Sequence, residues 1–137
     1  MPQKIEQPTA GQLERELAQK IQALYRSQLE HQPSKVICQL LNDKLTIVIE
    51  DAVTQPEKLL SDNGSDDLVE QFRSRIDEII QPQLKVLIEE TLKAQVIDLL
   101  SDITLGTGRG GMIVILDHPP DLRSTLPISK AKSVASR

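Results

Sequence analysis

In the first third of the chain, apolar residues fall at Leu13, Leu17, Ile21, Leu24 and Leu29, close to helical spacing, while Glu14, Arg15, Glu16, Lys20 and Arg26 take other faces. Thr9 followed three residues later by Gln12 has the form of a capping box, so the helix is predicted to begin near Ala10. Pro33 stops it, because a proline ring disfavours helical geometry at the preceding residue and removes a donor. From Lys35 the period changes to two. Val36, Cys38 and Leu40 alternate with Ile37, Gln39 and Leu41, and Leu45, Ile47 and Ile49 alternate with Lys44, Thr46, Val48 and Glu50. Two strands fit this pattern, joined by Asn42-Asp43, residue types that tolerate the positive φ a two-residue hairpin turn asks of both centres.

Thr54-Gln55-Pro56-Glu57 is a second capping-box pattern with proline in the first turn, and a short helix to about Ser61 follows. Asp62-Asn63-Gly64-Ser65 reads as a loop, with Asp66 or Asp67 as the next cap. Val69, Phe72, Ile76, Ile79 and Ile80, continued by Leu84, Leu87, Ile88 and Leu92, mark the apolar stripe of the longest helix. Pro82 falls inside it and predicts a kink or break between Ile79 and Gln83. Gln95 to Thr104 and Gly111 to Asp117 form a second strand pair, with Ile97, Leu99 and Ile103 on one register and Gly106-Thr107-Gly108-Arg109-Gly110 as the connection. Pro119-Pro120 ends the fold, since neither residue can donate to a sheet ladder. The expected class is α+β: two antiparallel hairpins forming one four-stranded sheet, with the N-terminal helix and the long Pro-kinked helix packed on one face. Residues 1–8 are expected to be disordered, 9–117 to form a single domain and 118–137 to form a flexible basic tail, which carries Arg123, Lys130, Lys132 and Arg137 against Asp121.

Composition narrows the function. Of 137 residues 39% are hydrophobic but only 1% aromatic, so Leu, Ile and Val must build the core and Tyr25 and Phe72 cannot form a stacking platform for single-stranded nucleic acid. A net charge of −4 with no basic patch in the ordered part argues against nucleic acid as a partner. Cys38 is alone, which excludes a disulfide, and its alternating register marks it as a small core residue. His31 and His118 lie too far apart in sequence to suggest a metal quartet, so no metal residues are assigned. The polar N-terminus does not read as a secretory signal, and the longest apolar run, Met112 to Leu116, is far short of a spanning helix; a cytoplasmic chain is expected.

Two constellations invite chemistry. Gly106 to Gly111 looks like a phosphate cradle, but such cradles lie between a strand and a helix, and this run lies between two strands. Arg109 within it is a candidate grip for an anion or an acidic partner. Asp98 and Asp102 share one face of their strand with Leu100 between them, near the hydroxyls of Ser101 and Thr104. Asp102, Thr104, Thr107 and Arg109 are therefore the candidate ligand or partner contacts, while no catalytic or cofactor-binding residue is assigned.

The stretch from about Gln12 to Asp117 resembles the MpsC domain, a small bacterial family of a Na+-translocating membrane-potential-generating system. The resemblance is carried by Val36 to Asp43, by Val53-Thr54-Gln55-Pro56-Glu57-Lys58-Leu59-Leu60, by Arg73 and Pro82, by Ile88-Glu89, and by Leu100-Ser101-Asp102-Ile103 with Thr107-Gly108. Val53 stands where the family has leucine, Gln55 moves Pro56 one place along, and His31-Gln32-Pro33-Ser34 replaces a Gly-Pro approach to the first strand. The resemblance implies no catalytic residues and a link to membrane energetics, in which a chain without a spanning segment would be peripheral. Ile37, Leu41, Val48, Leu100 and the alternate residues of Met112 to Leu116 put apolar groups on both sides of the sheet, which predicts a homodimer or larger assembly. The expected function is a non-enzymatic regulatory or adaptor domain working through protein contacts. The rival is a small-molecule or anion sensor built on the glycine-rich hairpin loop.

Overall fold

A computed structural model describes residues 7–123; residues 1–6 of the expected disordered start and 124–137 of the expected tail lie outside the described part. The elements are α1 (Ala10–Leu29), β1 (Lys35–Leu41), β2 (Lys44–Glu50), α2 (Gln55–Asp62), α3 (Asp66–Leu92), β3 (Val96–Thr104) and β4 (Arg109–Leu116). The four strands form one antiparallel sheet in the order β1-β2-β4-β3, so two hairpins meet along β2 and β4 and the fold is α+β.

The capping box at Thr9 closes as the spacing demands. Gln12 N–H donates to Thr9 Oγ1 at 3.1 Å and Thr9 N–H donates to Gln12 Oε1 at 2.9 Å. α1 then ends at Leu29, ahead of Pro33, with Glu30 in the left-handed conformation (φ 50°) as its C-cap. Its buried stripe is Leu13, Leu17, Ile21 and Tyr25, so the tyrosine, rather than the half-buried Leu24, completes it. On β1 and β2 the inward residues are Val36, Cys38 and Leu40 and Leu45, Ile47 and Ile49, the first set of each alternation. The hairpin turn differs from expectation. Leu41 pairs with Lys44 across two residues, but Asn42 alone takes positive φ (57°), so this is not the turn in which both centres are left-handed.

Four further details refine the expected elements. Of the kink or break expected at Pro82, the break does not occur: α3 continues as one helix through the proline, which lies at an exposed position, and Gln83 Nε2 donates to the Ile79 carbonyl at 3.1 Å in the turn the ring disturbs. Its cap is Ser65, with Asp66 and Asp67 in the first turn, where their charge suits the positive end of the helix dipole. On β3 a bulge between Val96 and Asp98 takes Ile97 out of register, so it is exposed while Leu99 and Ile103 face inward. Arg109 and Gly110 belong to β4, leaving Leu105 to Gly108 as the connection.

All helix packing falls on one face of the sheet. There Ile21, Ile47, Ile49, Ile80, Leu84, Ile88 and Val114 form the centre of one aliphatic core. Beyond β4, residues 118–123 turn back: Pro120 is buried and Arg123 N–H donates to the Pro8 carbonyl at 2.8 Å, tying the two ends of the described chain together. Replacing Thr9 by Ala removes one half of the α1 box and should lower unfolding free energy by about 1 kcal/mol in urea denaturation; an unchanged midpoint would mean the cap does not hold the helix start.

Candidate functional site

The second capping box has acquired a second task. Glu57, three residues after Thr54, accepts from the Thr54 N–H at 3.0 Å and from the Thr54 hydroxyl at 2.9 Å, both through Oε1. Its side chain is completely buried. A buried carboxylate requires a counter-charge. Arg73, sixteen residues on and one helix away, supplies it in a two-pronged contact: Nε to Oε2 at 2.9 Å and Nη2 to Oε1 at 2.7 Å. The same Nη2 donates to the Ala52 carbonyl at 3.2 Å.

The connector from β2 to α2 is held from every side by these and neighbouring bonds. His31 Nε2 bonds the Asp51 carbonyl at 2.7 Å, and Ala52 N–H donates to the Gly108 carbonyl at 2.7 Å. Gly108 is buried with φ +75°, a backbone state that favours glycine and that aims its carbonyl at the connector. The glycine run thus serves the fold at this position.

Next to the pair is a cleft of ≈ 70 Å³ lined by Tyr25, Arg73, Asp77, Ser101, Asp102 and Gly110 among others. Burial pushes the Tyr25 hydroxyl up to about 12 from its ordinary 10.0, against the lowering effect of the Arg73 charge. Burial also raises the Asp77 carboxyl; Arg73, with Nη1 4.0 Å away, pulls it down, and the charges of Glu57 and Asp102 push it up. Cys38 is pushed up to about 12 from 9.0, again by burial, with the Glu14 charge adding to it, so at neutral pH it is a protonated core thiol.

The four candidate contact residues stand at one end of the sheet, but their polar groups are largely engaged with their neighbours. Arg109 Nε donates to both carboxylate oxygens of Glu50, at 3.0 and 2.9 Å. Thr104 and Thr107 share a hydroxyl–hydroxyl bond, and Thr107 Oγ1 also accepts the Arg109 N–H at 3.2 Å. Asp102 Oδ1 accepts the N–H of Ile103 at 2.8 Å. Asp98 and Asp102 do share the outer face of β3, with Leu100 between them, because their partners on β4 are Ile115 and Gly111.

Among the described residues two apolar surfaces remain open, one on the outer face of the sheet and one on the helix side. The first is the outer face of the sheet. Ile37 on β1, Val48 on β2, Leu100 on β3 and Ile113 on β4 project there, and Leu100 is 61% exposed. The second is a ridge on α3. At 100° per residue Leu68, Phe72, Ile79 and Val86 fall within about 40° of one another, off the arc that Ile76, Ile80, Leu84 and Ile88 bury. Phe72 and Ile79 therefore leave the core stripe to which their spacing assigns them; Ile79 is 58% exposed.

These features define a small α+β domain whose described helices cover one side of the sheet. A family model described as a Na+-translocating membrane potential-generating system (MpsC) matches residues 9–118. The chain belongs to this family. No curated protein and no solved structure matches it. Two stretches that carry the resemblance, Val53 to Leu60 and Arg73, meet in the Glu57–Arg73 pair, a contact that spacing along the sequence does not reveal.

Arg73→Met leaves the Glu57 carboxylate buried and unpaired and should cost about 3–5 kcal/mol. Glu57→Gln together with Arg73→Met should be less damaging than Arg73→Met alone; equal losses in denaturant titrations would show that the charge is not what matters. The pH dependence has two signs to check. Folding favours the protonated forms of Tyr25 and Cys38, so their contribution is whole below the unfolded values and stability should fall as pH climbs from about 9 towards 12. Asp77, also raised, loses its contribution as pH rises through the carboxylate range, and Asp77→Asn should remove that part of the slope of melting temperature against pH.

Proposed function

We propose that this chain is a non-enzymatic regulatory or adaptor domain that works through protein contacts, as a peripheral part of the membrane-potential system after which its family is described. The observation that carries the reading is the pair of open apolar surfaces on opposite sides of a core that is complete without them. An apolar patch kept in water on a small domain marks a contact surface, and two such patches facing apart suit a domain that joins one protein to another. No helix among the described residues is long and apolar enough to cross a membrane, which fits a part that attaches to a membrane system through a partner.

The α3 ridge is the side suited to a different protein. Its flanks carry charges of both signs, Glu78 and Glu90 with Arg75, Lys85 and Lys93, so the surface is apolar along its crest and charged beside it. An amphipathic segment that lays its apolar face along the crest is the complementary partner. A photo-crosslinking residue placed at Ile79 in the full-length chain, expressed in its native host, should give a discrete crosslinked protein. The same residue at Glu70, on the polar side of α3, should not. Equal yields at both positions, or no protein adduct at Ile79, would overturn the reading.

A further inference from the structure

We propose that the outer face of the sheet is the contact between two copies of this chain, packed face to face about a twofold axis parallel to the strands. The proposal rests on the protein-contact reading above and names the occupant of one of its two surfaces.

The strand register supplies the argument. Val48 on β2 and Gly111 on β4 are direct cross-strand partners at the middle of the sheet, since β2 and β4 are its central strands. A twofold axis running between those strands places β4 of one copy over β2 of the other, and so sets Val48 above Gly111 of the second copy. Gly111 has the space: a Cβ there would meet only the Ile47 carbonyl oxygen, at 3.9 Å. The missing side chain leaves a shallow, mostly apolar groove of ≈ 330 Å³ bounded by Thr46, Val48, Leu100, Asp102 and Ile113. A valine from a facing sheet is a suitable filler for it, and the symmetry fills both grooves at once.

Charge selects the same axis. Glu50 and Arg109 satisfy each other within one copy. What remains on the outer face is Lys35 and Lys44 on the β1–β2 side and Asp98 and Asp102 on β3, with Lys44 also meeting Asp43 at the hairpin turn, at 2.8 Å. Rotation about the strand direction lays β1 over β3 and β2 over β4 of the second copy, so that Leu41 and Ile37 lie over Asp98 and Asp102. Lys44 is then one strand across from Asp98 at the same level and Lys35 one outward residue along from Asp102, both within reach of a lysine side chain. Rotation about the perpendicular in-plane axis would lay lysine side on lysine side and aspartate side on aspartate side, which is unfavourable. Aligned packing of two sheets about 10 Å apart is a common arrangement, with the strands within about 30° of parallel. Four strands at about 4.8 Å spacing and some six residues long present roughly 400 Å² in outline, at the small end for a specific interface, so the dimer is expected to be concentration-dependent.

Sedimentation velocity on the full chain, from about 1 to 500 μM, tests this in the range where small interfaces dissociate. The wild-type mass should rise from 15.3 kDa towards twice that value. Ile113→Lys should move the dimerisation midpoint at least tenfold upward, and so should Asp98→Lys. Lys44→Asp combined with Asp98→Lys should return it towards wild type, while Ile79→Asp on the α3 ridge should leave it unchanged. Circular dichroism on each variant establishes that it is folded. A wild type that stays monomeric throughout, a dimer broken by Ile79→Asp but not by Ile113→Lys, or a folded double variant that fails to recover would each overturn the proposal. Crosslinking at Ile79 reads the other surface, so a failed dimer and a failed adaptor reading give different results.

Discussion

The contact on which the rest of this fold depends is the buried ion pair between Glu57 and Arg73. A carboxylate with no exposure cannot stay charged among Ile and Leu side chains without compensation. Here it has two bonds from a guanidinium, one from a backbone amide and one from a hydroxyl, which give Oε1 three donors and Oε2 one. Those donors come from two pieces of chain, Thr54 at the start of α2 and Arg73 in the second turn of α3. Because Arg73 also holds the Ala52 carbonyl, and Ala52 in turn holds Gly108, the chain of bonds runs on through the β2–α2 connector to the β3–β4 hairpin. A nonspecific apolar contact could stabilise α2 equally well. It would not fix the connector in a single orientation, which is what directional, charge-assisted bonds add.

Much of the fold is legible in the sequence because its signals are local. The Thr9 box, the alternation on Val36 to Leu40 and Leu45 to Ile49, and the order of helix, hairpin, helices and hairpin each need only a few adjacent residues, and each has its expected counterpart in the structure. The misreadings come where two residues far apart decide the outcome. Glu57 looks like an ordinary capping residue until Arg73 is brought beside it. Tyr25 is excluded from a core stripe read on aliphatic residues alone, yet it closes α1 against the sheet. Ile97 fits the strand alternation and is displaced by a bulge that periodicity cannot register. On α3, Phe72 and Ile79 look like core residues because nearly every turn of that helix carries something apolar. Only the position of the sheet decides which arc is covered.

The glycine-rich run illustrates how a motif loses its meaning outside its context. In a phosphate cradle, successive backbone N–H groups point at an anion from the start of a helix. Here the run enters a strand. Its Arg109 side chain is drawn to Glu50 on the neighbouring strand, and Gly108 directs its carbonyl into the fold. The polar groups at this end of the sheet are therefore engaged with one another, although Asp102, Thr104, Thr107 and Arg109 are exposed. Beside them on the outer face lies the middle of the sheet, where Gly111 removes a side chain from the centre of a mostly aliphatic surface.

A half-covered sheet can associate in two ways, by its faces or by its edges, and the edges of this one are partly closed. On β1 the Leu40 N–H is taken by Glu14 Oε2 at 2.8 Å, a side chain reaching down from α1. On β3 the Val96 N–H goes to Glu89 Oε2 and the Ile103 N–H to the carboxylate of Asp102, with the bulge at Ile97 twisting the strand between them. Blocking edge donors with carboxylates and bulges discourages the addition of a further strand from another chain. Glu14 and Glu89 reach these donors from the helices at the two edges, so the middle of the outer face stays open. Association of this domain is thereby directed away from open-ended edge pairing and onto side-chain contacts between surfaces, where register, charge and shape can discriminate one partner from another.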